Sequence, residues 1–296
     1  MWQPEPGWQS LPGGMGPSTL GVWRVGDQVV KRFAAPLPGD PGELSNPRHF
    51  AYWRRAVEVA QERLVEATPG LRALAVLKVE EDPEGITLWQ PYVEDSDLPG
   101  PFVARAVGRF AGADLAPYPW FARNQLADRL TRVERGGGWK TLERTTVADI
   151  ADRLWRRRAT HLATFAELPM VPQHGDPTAA NLRGRSGEDV VALDWSSLGL
   201  GPVGADLGYL CLTEREDFAV LTEAYADGLP VGLAWPEQIV TGARINAVYT
   251  AVSRAEWALA RVADGPGALA GKYRHPAVAP YLRSLQRLFP QIEPLL

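Results

Sequence analysis

Gln173-His174-Gly175-Asp176-Pro177-Thr178-Ala179-Ala180-Asn181-Leu182 is followed by the short apolar run Val190-Val191-Ala192-Leu193-Asp194-Trp195. An Asp and an Asn five positions apart, with a second Asp after a short apolar strand, are typical of sites that transfer phosphoryl groups. In such sites the first carboxylate accepts the proton of the attacking hydroxyl, and the amide and the second carboxylate hold Mg²⁺ on the nucleotide phosphates. The pattern therefore predicts Asp176 as the catalytic base and Asn181 and Asp194 as metal ligands.

The local sequence around Asp176 predicts an irregular loop. Gly175 and Pro177 flank Asp176 and disfavour a helix, whereas residues 190–193 predict a short buried strand that ends at Asp194. An ordinary loop rich in Asn and Asp, between a helix and a hairpin, is the alternative interpretation. The additional Asp194 at the end of a strand favours the site over this alternative.

The composition is that of an ordinary globular protein. The chain has 296 residues, of which 45% are hydrophobic and 22% charged, enough for one large or two modest domains. A net charge of -4 argues against a nucleic-acid partner, which requires a basic surface. The single Cys211 excludes an internal disulfide and, with only four histidines, disfavours structural zinc. The sequence shows no signal peptide and no apolar run of membrane-spanning length, so we expect a cytoplasmic protein without a membrane partner.

A β-hairpin is predicted near the amino terminus, with strands at residues 20–25 and 28–33 joined by a Gly26-Asp27 turn. The preceding loop is rich in small residues that can cover phosphates with backbone N–H groups, and Lys31 is placed on a strand from which its charge can reach them. A plain turn and a surface lysine are the alternative. The candidate loop residues are Gly14, Gly16, Ser18 and Thr19.

A helix is predicted over about residues 47–66, with Pro47 at its first position and apolar residues at steps of three and four. A glutamate on this helix would pair with the strand lysine in a phosphoryl-transfer site of this kind. Glu58 and Glu62 are the candidates, and a solvated helix glutamate is the alternative for each.

Two further strands are predicted at residues 74–79 and 86–93, and strong helical patterns appear only after them. This shift predicts a boundary near residue 95, with a nucleotide-binding domain at 1–95 and a catalytic, substrate-binding domain at 96–296. Gln90 and Tyr92 would then form a hinge that binds an adenine through the backbone, since Pro91 lacks an N–H group.

The carboxy-terminal half predicts helices at residues 101–116, 146–167 and 236–261, with a last amphipathic helix near the end. Acidic residues are concentrated where this helical region begins. An acidic pocket would attract an amine-bearing substrate, whereas an exposed acidic helix explains the same residues equally well. The residues are Glu214, Glu216, Asp217, Glu223 and Asp227.

The motifs at residues 174–182, Leu193-Asp194-Trp195 and Gly201-Pro202-Val203-Gly204-Ala205-Asp206-Leu207 resemble those of the aminoglycoside phosphotransferase and choline kinase family. The resemblance implies a protein-kinase-like α+β fold of two lobes, one small and β-rich, the other larger and mainly helical. It also implies a small-molecule kinase that uses Mg²⁺ with ATP or GTP. In that family Asp176 would be the base, Asn181 and Asp194 the magnesium ligands, Lys31 the phosphate anchor, and His174 and Asp206 supports of the loop.

Two departures from the family pattern bear on function. Pro177-Thr178-Ala179-Ala180 replaces a stretch in which relatives often carry a histidine, and Ala56 follows Tyr52-Trp53-Arg54-Arg55 where a glutamate is common. The lysine partner is therefore displaced, for example to Glu58, or missing. The leading hypothesis is an O-phosphotransferase acting on a small hydroxylated molecule, for example an aminoglycoside or another amine-bearing natural product. A nucleotide-binding pseudokinase and a metal-dependent hydrolase are the alternatives.

Overall fold

The structure is a computed structural model that describes residues 2–12, 16, 18–265 and 267–296. Gly14 of the predicted phosphate loop lies outside the described residues. The strands of the described residues are β1 Gln9–Ser10, β2 Thr19–Val25, β3 Gln28–Ala34, β4 Leu71–Arg72, β5 Lys78–Asp82, β6 Gly85–Pro91, β7 Met170–Gln173, β8 Leu182–Ser186, β9 Asp189–Ala192 and β10 Gly199–Pro202.

The helices are more numerous in the second half of the chain. They are α1 Arg55–Gln61, α2 Gly100–Ala111, α3 Gln125–Arg135, α4 Ala148–Ala166, α5 Ala205–Leu210, α6 Phe218–Gly228, α7 Pro236–Ala263, α8 Leu269–Lys272, α9 Ala279–Arg287 and α10 Phe289–Ile292.

An antiparallel sheet with strand order β1-β2-β3-β6-β5 forms the amino-terminal part. The predicted hairpin is confirmed as β2 and β3, in which Val22 pairs with Lys31. A small core of Phe33, Val57, Ile86 and Leu88 lies between this sheet and α1. Lys31 is thereby fixed on a central strand, with β2 on one side and β6 on the other.

The strand predicted at residues 74–79 is displaced in the structure. β5 begins only at Lys78, and the earlier residues 71–72 form β4, which pairs in parallel with β9. The reason is burial, since Leu71 is completely buried in the carboxy-terminal core and the Val190 N–H donates to the Gly70 carbonyl at 2.7 Å. The chain crosses to the other part of the molecule before it returns to the sheet.

The helix predicted over residues 47–66 is wrong in extent, because α1 spans only Arg55–Gln61. The Arg55 side chain is completely buried and binds the carbonyls of Pro47, His49 and Phe50 at 2.7, 2.8 and 3.2 Å. These carbonyl oxygens therefore accept hydrogen bonds from the Arg55 guanidinium. In a helix they would accept from the backbone N–H groups four residues later. At the other end Arg63 has a φ of 51°, which is incompatible with a continuing helix.

The mainly helical carboxy-terminal part also contains the two-stranded sheet β10-β7 and the three-stranded sheet β4-β9-β8. The long helix α7 packs closely on α5: a Cβ at Gly208 would lie 2.2 Å from the Ala243 carbonyl oxygen. Glycine at 208 permits this approach, which brings the side chains of α5 and α7 together. The predicted α+β class, with a β-rich first part and a helical second part, is confirmed. Within the described ranges, no helix is both long and apolar enough to cross a membrane.

Candidate active site

The loop that carries Asp176 follows β7, and its backbone is hydrogen-bonded to Asp206 near the start of α5. One oxygen of Asp206 accepts the His174 N–H at 2.7 Å, and the other accepts the Gly175 N–H at 3.0 Å. Burial raises the pKa of Asp206 to about 7, while these backbone N–H groups act in the opposite direction. Gly175 has a φ of 82°, and a Cβ there would lie 2.5 Å from the Ser197 carbonyl oxygen. The backbone of the loop is therefore held in a single conformation at His174 and Gly175.

His174 supports the same loop from inside. It is completely buried, its Nε2 lies 2.8 Å from the Leu193 carbonyl oxygen, and its ring centroid lies 4.6 Å from that of Trp195. Burial lowers the pKa of His174. The imidazole therefore connects the Asp176 loop to the residue just before Asp194. These contacts agree with the supporting roles that the resemblance implies for His174 and Asp206.

Asp176 and Asn181 face each other across the loop. Asn181 Nδ2 donates to the backbone oxygen of Asp176 at 2.9 Å and to Asp176 Oδ2 at 3.1 Å. Both bonds use the nitrogen of the amide, which leaves Asn181 Oδ1 for a cation. Asp176 Oδ1 is buried and has no hydrogen-bond partner among the described residues.

Asp194 follows β9 in a left-handed conformation, with a φ of 58° that is costly for a residue with a side chain. Lys31 Nζ lies 2.7 Å from Asp194 Oδ1. Burial by itself raises the pKa of Asp194, but the charge and hydrogen bond of Lys31 outweigh it, so the pKa is lower than usual. The structure therefore brings Lys31 to the loop residues, although they are far apart in sequence.

The predicted partner of Lys31 is placed differently. Glu58 Oε1 accepts a hydrogen bond from the Tyr52 hydroxyl at 3.0 Å, and the carboxylate that pairs with Lys31 is Asp194. Burial raises the pKa of Glu58. Glu62 also binds a tyrosine, with the Tyr118 hydroxyl 3.1 Å from its carboxylate. In this structure neither glutamate forms the predicted ion pair with the lysine.

A cavity of about 400 Å³ opens beside Lys31 and Asp194. Its walls include apolar side chains of the sheet, such as Val22, Val29 and Leu88, and residues 90–93 also line it. The apolar walls suit a flat apolar ring, and the ammonium group of Lys31 suits phosphates. The predicted hinge residues Gln90 and Tyr92 thus lie on this cavity, as does Asn181.

Two predicted details of this cavity differ in the structure. The Tyr92 N–H donates to the Asp27 carbonyl at 2.7 Å, so this donor is already used inside the protein. Gly16 and Ser18 belong to the connection between β1 and β2, and Thr19 begins β2, but none of these three described residues lines the cavity; Leu11 and Pro12 of this connection do.

Sequence reasoning missed two arginines beside the Asp176 loop. Arg129 on α3 donates to the Gly175 carbonyl oxygen at 2.9 Å. Arg254 on α7 has its Nη2 at 3.7 Å from Asp176 Oδ1 and also donates to the Tyr209 hydroxyl. Both guanidiniums lie over the Tyr209 ring, at 5.0 and 4.6 Å from its centroid. No local motif marks these arginines, because helices distant in sequence deliver them.

The oxygen donors present suit Mg²⁺. Asn181 Oδ1 and the Asp194 carboxylate are hard oxygen ligands, and Mg²⁺ characteristically binds to one or two such protein groups plus substrate phosphates. The described residues contain no cluster of three or more His, Cys, Asp or Glu that could hold a metal by themselves. The site therefore fits a cation that arrives with phosphates better than a permanently bound structural metal.

Comparisons with known proteins agree with this geometry. Residues 26–237 match the sequence model of the phosphotransferase enzyme family, known as APH. No curated protein sequence matches the chain. Several solved structures share its kinase-like fold over most of their length.

A choline/ethanolamine kinase family protein from Mesorhizobium loti is 18% identical and has a TM-score of 0.55, over 96% of this chain and 92% of that protein. The aminoglycoside phosphotransferase APH(3'')-Id from Streptomyces rimosus, solved with ADP and streptomycin, is 20% identical with a TM-score of 0.52, over 81% of this chain and 92% of its own. A third structure, APH(2")-IIia with GDP and kanamycin, is 12% identical with a TM-score of 0.60, over 95% and 92%.

Proposed function

We propose that this chain, which belongs to the phosphotransferase enzyme family, transfers the terminal phosphoryl group of ATP or GTP to a hydroxyl of a small molecule. The observation that carries the proposal is that Lys31, Asn181 and Asp194, from three segments of the chain, line one cavity, and that Asn181 also donates a hydrogen bond to Asp176. Structures of similar fold were solved with ADP and with GDP, so both purine nucleotides are candidates for the donor.

Asp176 is the proposed catalytic base. Its Oδ2 is oriented by Asn181 Nδ2, and its Oδ1 is free of hydrogen bonds among the described residues. As the acceptor oxygen attacks, its proton moves to the Asp176 carboxylate, an O–P bond forms, and the bond between the phosphorus and the nucleoside diphosphate breaks. Because the loop is held by Asp206 and His174, the carboxylate is positioned before the acceptor arrives.

The remaining site residues would bind the nucleotide that donates the phosphoryl group. Lys31 would bind the phosphates with its ammonium group, and residues 1–95 would supply the walls of the nucleotide cavity, with residues 96–296 binding the acceptor. Asn181 and Asp194 would hold Mg²⁺, which on binding neutralises charge on the phosphates. Asp194 now pairs with Lys31 at 2.7 Å, so the phosphates and the metal together would separate that pair.

A nucleotide-binding pseudokinase is the second candidate. It is favoured by one observation: Glu58 binds Tyr52 and not Lys31, so the lysine lacks the partner expected of an active phosphoryl-transfer site. Nucleotide binding without turnover would distinguish it from the leading proposal.

Incubation with ATP or GTP, Mg²⁺ and a broad panel of hydroxylated compounds tests the proposal, with mass spectrometry to detect the gain of one phosphate. Asp176→Asn should lower turnover by about 100- to 10,000-fold, the usual contribution of a general base, and leave nucleotide binding intact. Asp114→Asn, at an exposed position, is the matched control and should behave as wild type. Nucleotide binding with no phosphorylated product in any reaction would contradict the proposal and support the pseudokinase.

A further inference from the structure

We propose that Arg254 binds an anionic group of the acceptor, so that the substrate is a small hydroxylated anion, a carboxylate or a phosphate ester. This inference rests on the proposed function and specifies its substrate class. It departs from the amine-bearing acceptor that the acidic residues after position 213 suggested.

The position of Arg254 is the main evidence. Its Nη2 lies 3.7 Å from Asp176 Oδ1, and the two side chains are 30% and 32% exposed, so both reach the surface at neighbouring positions. Its guanidinium is held in place by the ring and hydroxyl of Tyr209, which is itself buried. A cation fixed this close to the proposed base would meet any acceptor whose hydroxyl reaches Asp176.

The remaining donors of Arg254 are available. Its contacts among the described residues all use Nη2 or the ring face of Tyr209, which leaves Nε and Nη1 without a hydrogen-bond partner there. A guanidinium with free, adjacent N–H groups matches the paired oxygens of a carboxylate or phosphate. Arg129 differs, because it already donates to the Gly175 carbonyl oxygen and serves the loop.

The acidic residues do not provide an equivalent pocket for an amine. Glu216 accepts the Gly100 N–H at 3.1 Å, and Asp227 pairs with Arg105 at 3.3 Å, so both carboxylates are engaged at α2. Asp217 and Glu223 are exposed. Glu214 is partly buried, and burial, together with the charges of Glu216 and Asp97, raises its pKa to about 7. None of these five carboxylates shares an ion pair or hydrogen bond with the Asp176 loop in the described structure. The charged side chain that contacts the proposed base is a cation.

The geometry also limits how far apart the hydroxyl and the anionic group of the acceptor lie. Because Arg254 and Asp176 are 3.7 Å apart, one small molecule satisfies both only if its hydroxyl and its anionic group are separated by a few bonds. Hydroxy acids, hydroxy amino acids and polyol phosphates meet this condition. Aminoglycosides and choline do not carry such a group.

Matched pairs of acceptors test the proposal. The pairs are glyceric acid with glyceramide and L-serine with L-serinamide, for a carboxylate, and glycerol 3-phosphate with glycerol, for a phosphate; choline and kanamycin represent cations. We expect kcat/KM to be at least about tenfold higher for the member of each pair that carries the carboxylate or phosphate, as for a charge-assisted hydrogen bond. The pair with the larger ratio identifies the anionic group.

Variants of the arginine give the second readout. Arg254→Met should remove the preference: the loss of kcat/KM for the members that carry a carboxylate or phosphate should exceed by about tenfold or more the loss for their partners, since removal of a cation 3.7 Å from Asp176 affects every acceptor to some extent. Arg254→Lys should restore part of it. Arg244→Met is the matched control on the same helix, since Arg244 binds Gln291 and not the Asp176 loop. An equal loss for all acceptors in Arg254→Met would overturn the proposal and leave Arg254 a support of the loop.

Calorimetry separates this inference from the proposed function. Glyceric acid, L-serine and glycerol 3-phosphate are titrated into the protein with ADP and Mg²⁺, and binding that disappears in Arg254→Met supports the anion site even if no acceptor turns over. Absence of binding by all three, or a preference for choline and kanamycin, overturns the inference and leaves the phosphotransferase proposal intact. Anion binding without any turnover instead contradicts the phosphotransferase proposal.

Discussion

The two sides of the central loop each place a carboxylate beside a cation, but the two pairs are built differently. On the nucleotide side Lys31 and Asp194 are in direct contact at 2.7 Å, whereas on the acceptor side Arg254 and Asp176 remain 3.7 Å apart. The first pair is already a closed salt bridge. The second pair is longer and leaves N–H groups of Arg254 free, although Asp176 Oδ1 itself is buried.

In the proposed reaction the two pairs have different roles. The Lys31–Asp194 pair would keep two charges satisfied until phosphates and a cation replace them. Arg254 contacts both Tyr209 and Asp176 through Nη2, and in our proposal its remaining N–H groups select among acceptors. We infer that variants on the nucleotide side affect all acceptors equally, and that variants on the acceptor side discriminate among them.

Among variants on the proposed nucleotide side, Asp194→Asn should have the largest effect. Replacing the carboxylate with an amide weakens the proposed Mg²⁺ site and removes the charge that Lys31 pairs with, so we expect phosphoryl transfer to fall by about 1000-fold for every acceptor. Single-turnover assays over a range of Mg²⁺ concentrations measure this effect, and excess Mg²⁺ should restore part of the rate. A variant that retains turnover within tenfold, or loses it for anionic acceptors only, would break the comparison.

Arg55→Met tests how the nucleotide side is held in place. Arg55 joins the start of α1 to the Trp120 and Ser196 carbonyls, both at 2.8 Å, and Ser196 lies two residues after Asp194. Its removal leaves several buried carbonyls without a donor, so the free energy of unfolding should fall by about 3 kcal/mol. Urea denaturation measures this loss.

The neighbouring Arg54 is the matched control for Arg55. Arg54 forms an exposed pair with Glu81, and Arg54→Met should cost less than about 1 kcal/mol. Equal losses for the two variants would mean that the carbonyl contacts of Arg55 contribute nothing beyond an ordinary surface arginine. Arg55→Lys should recover only part of the loss, because an ammonium cannot reach carbonyls in so many directions.

The nucleotide side could be predicted from sequence to a larger extent than the acceptor side. The offsets within residues 174–194 are local, and the alternation of the hairpin places Lys31 on a strand, so these features depend on short-range rules. The length of α1 could not be predicted, because a buried Arg55 at the end of a helical pattern looks like a solvated one. Its partners are carbonyls as distant in sequence as Ser196.

The acceptor side depends on packing between helices, which no local pattern encodes. Tyr209 and Arg254 meet because Gly208 lets α5 approach α7 closely. In the sequence Arg254 is one of many helical arginines, and the acidic residues from Glu214 onward were the more prominent signal. The acidic residues stand out in the sequence, but it is Arg254 that lies beside the proposed base in the structure.

Glu58→Gln should have the smallest effect and is the sharpest test of the nucleotide side. Glu58 Oε1 binds the Tyr52 hydroxyl, and its buried Oε2 has no hydrogen-bond partner among the described residues. If Asp194 remains the partner of Lys31 during turnover, the variant should change kcat and the nucleotide KM by less than about threefold, because the amide oxygen still accepts from Tyr52. Tyr52→Phe is the matched control for that bond.

A loss of about 100-fold in Glu58→Gln but not in Tyr52→Phe would instead show that Lys31 moves to Glu58 when phosphates and Mg²⁺ occupy Asp194, since a buried ion pair responds strongly to the removal of one charge. Both sides of the loop would then be open to their ligands, and the contrast between a closed and an open pair would describe only the protein without nucleotide.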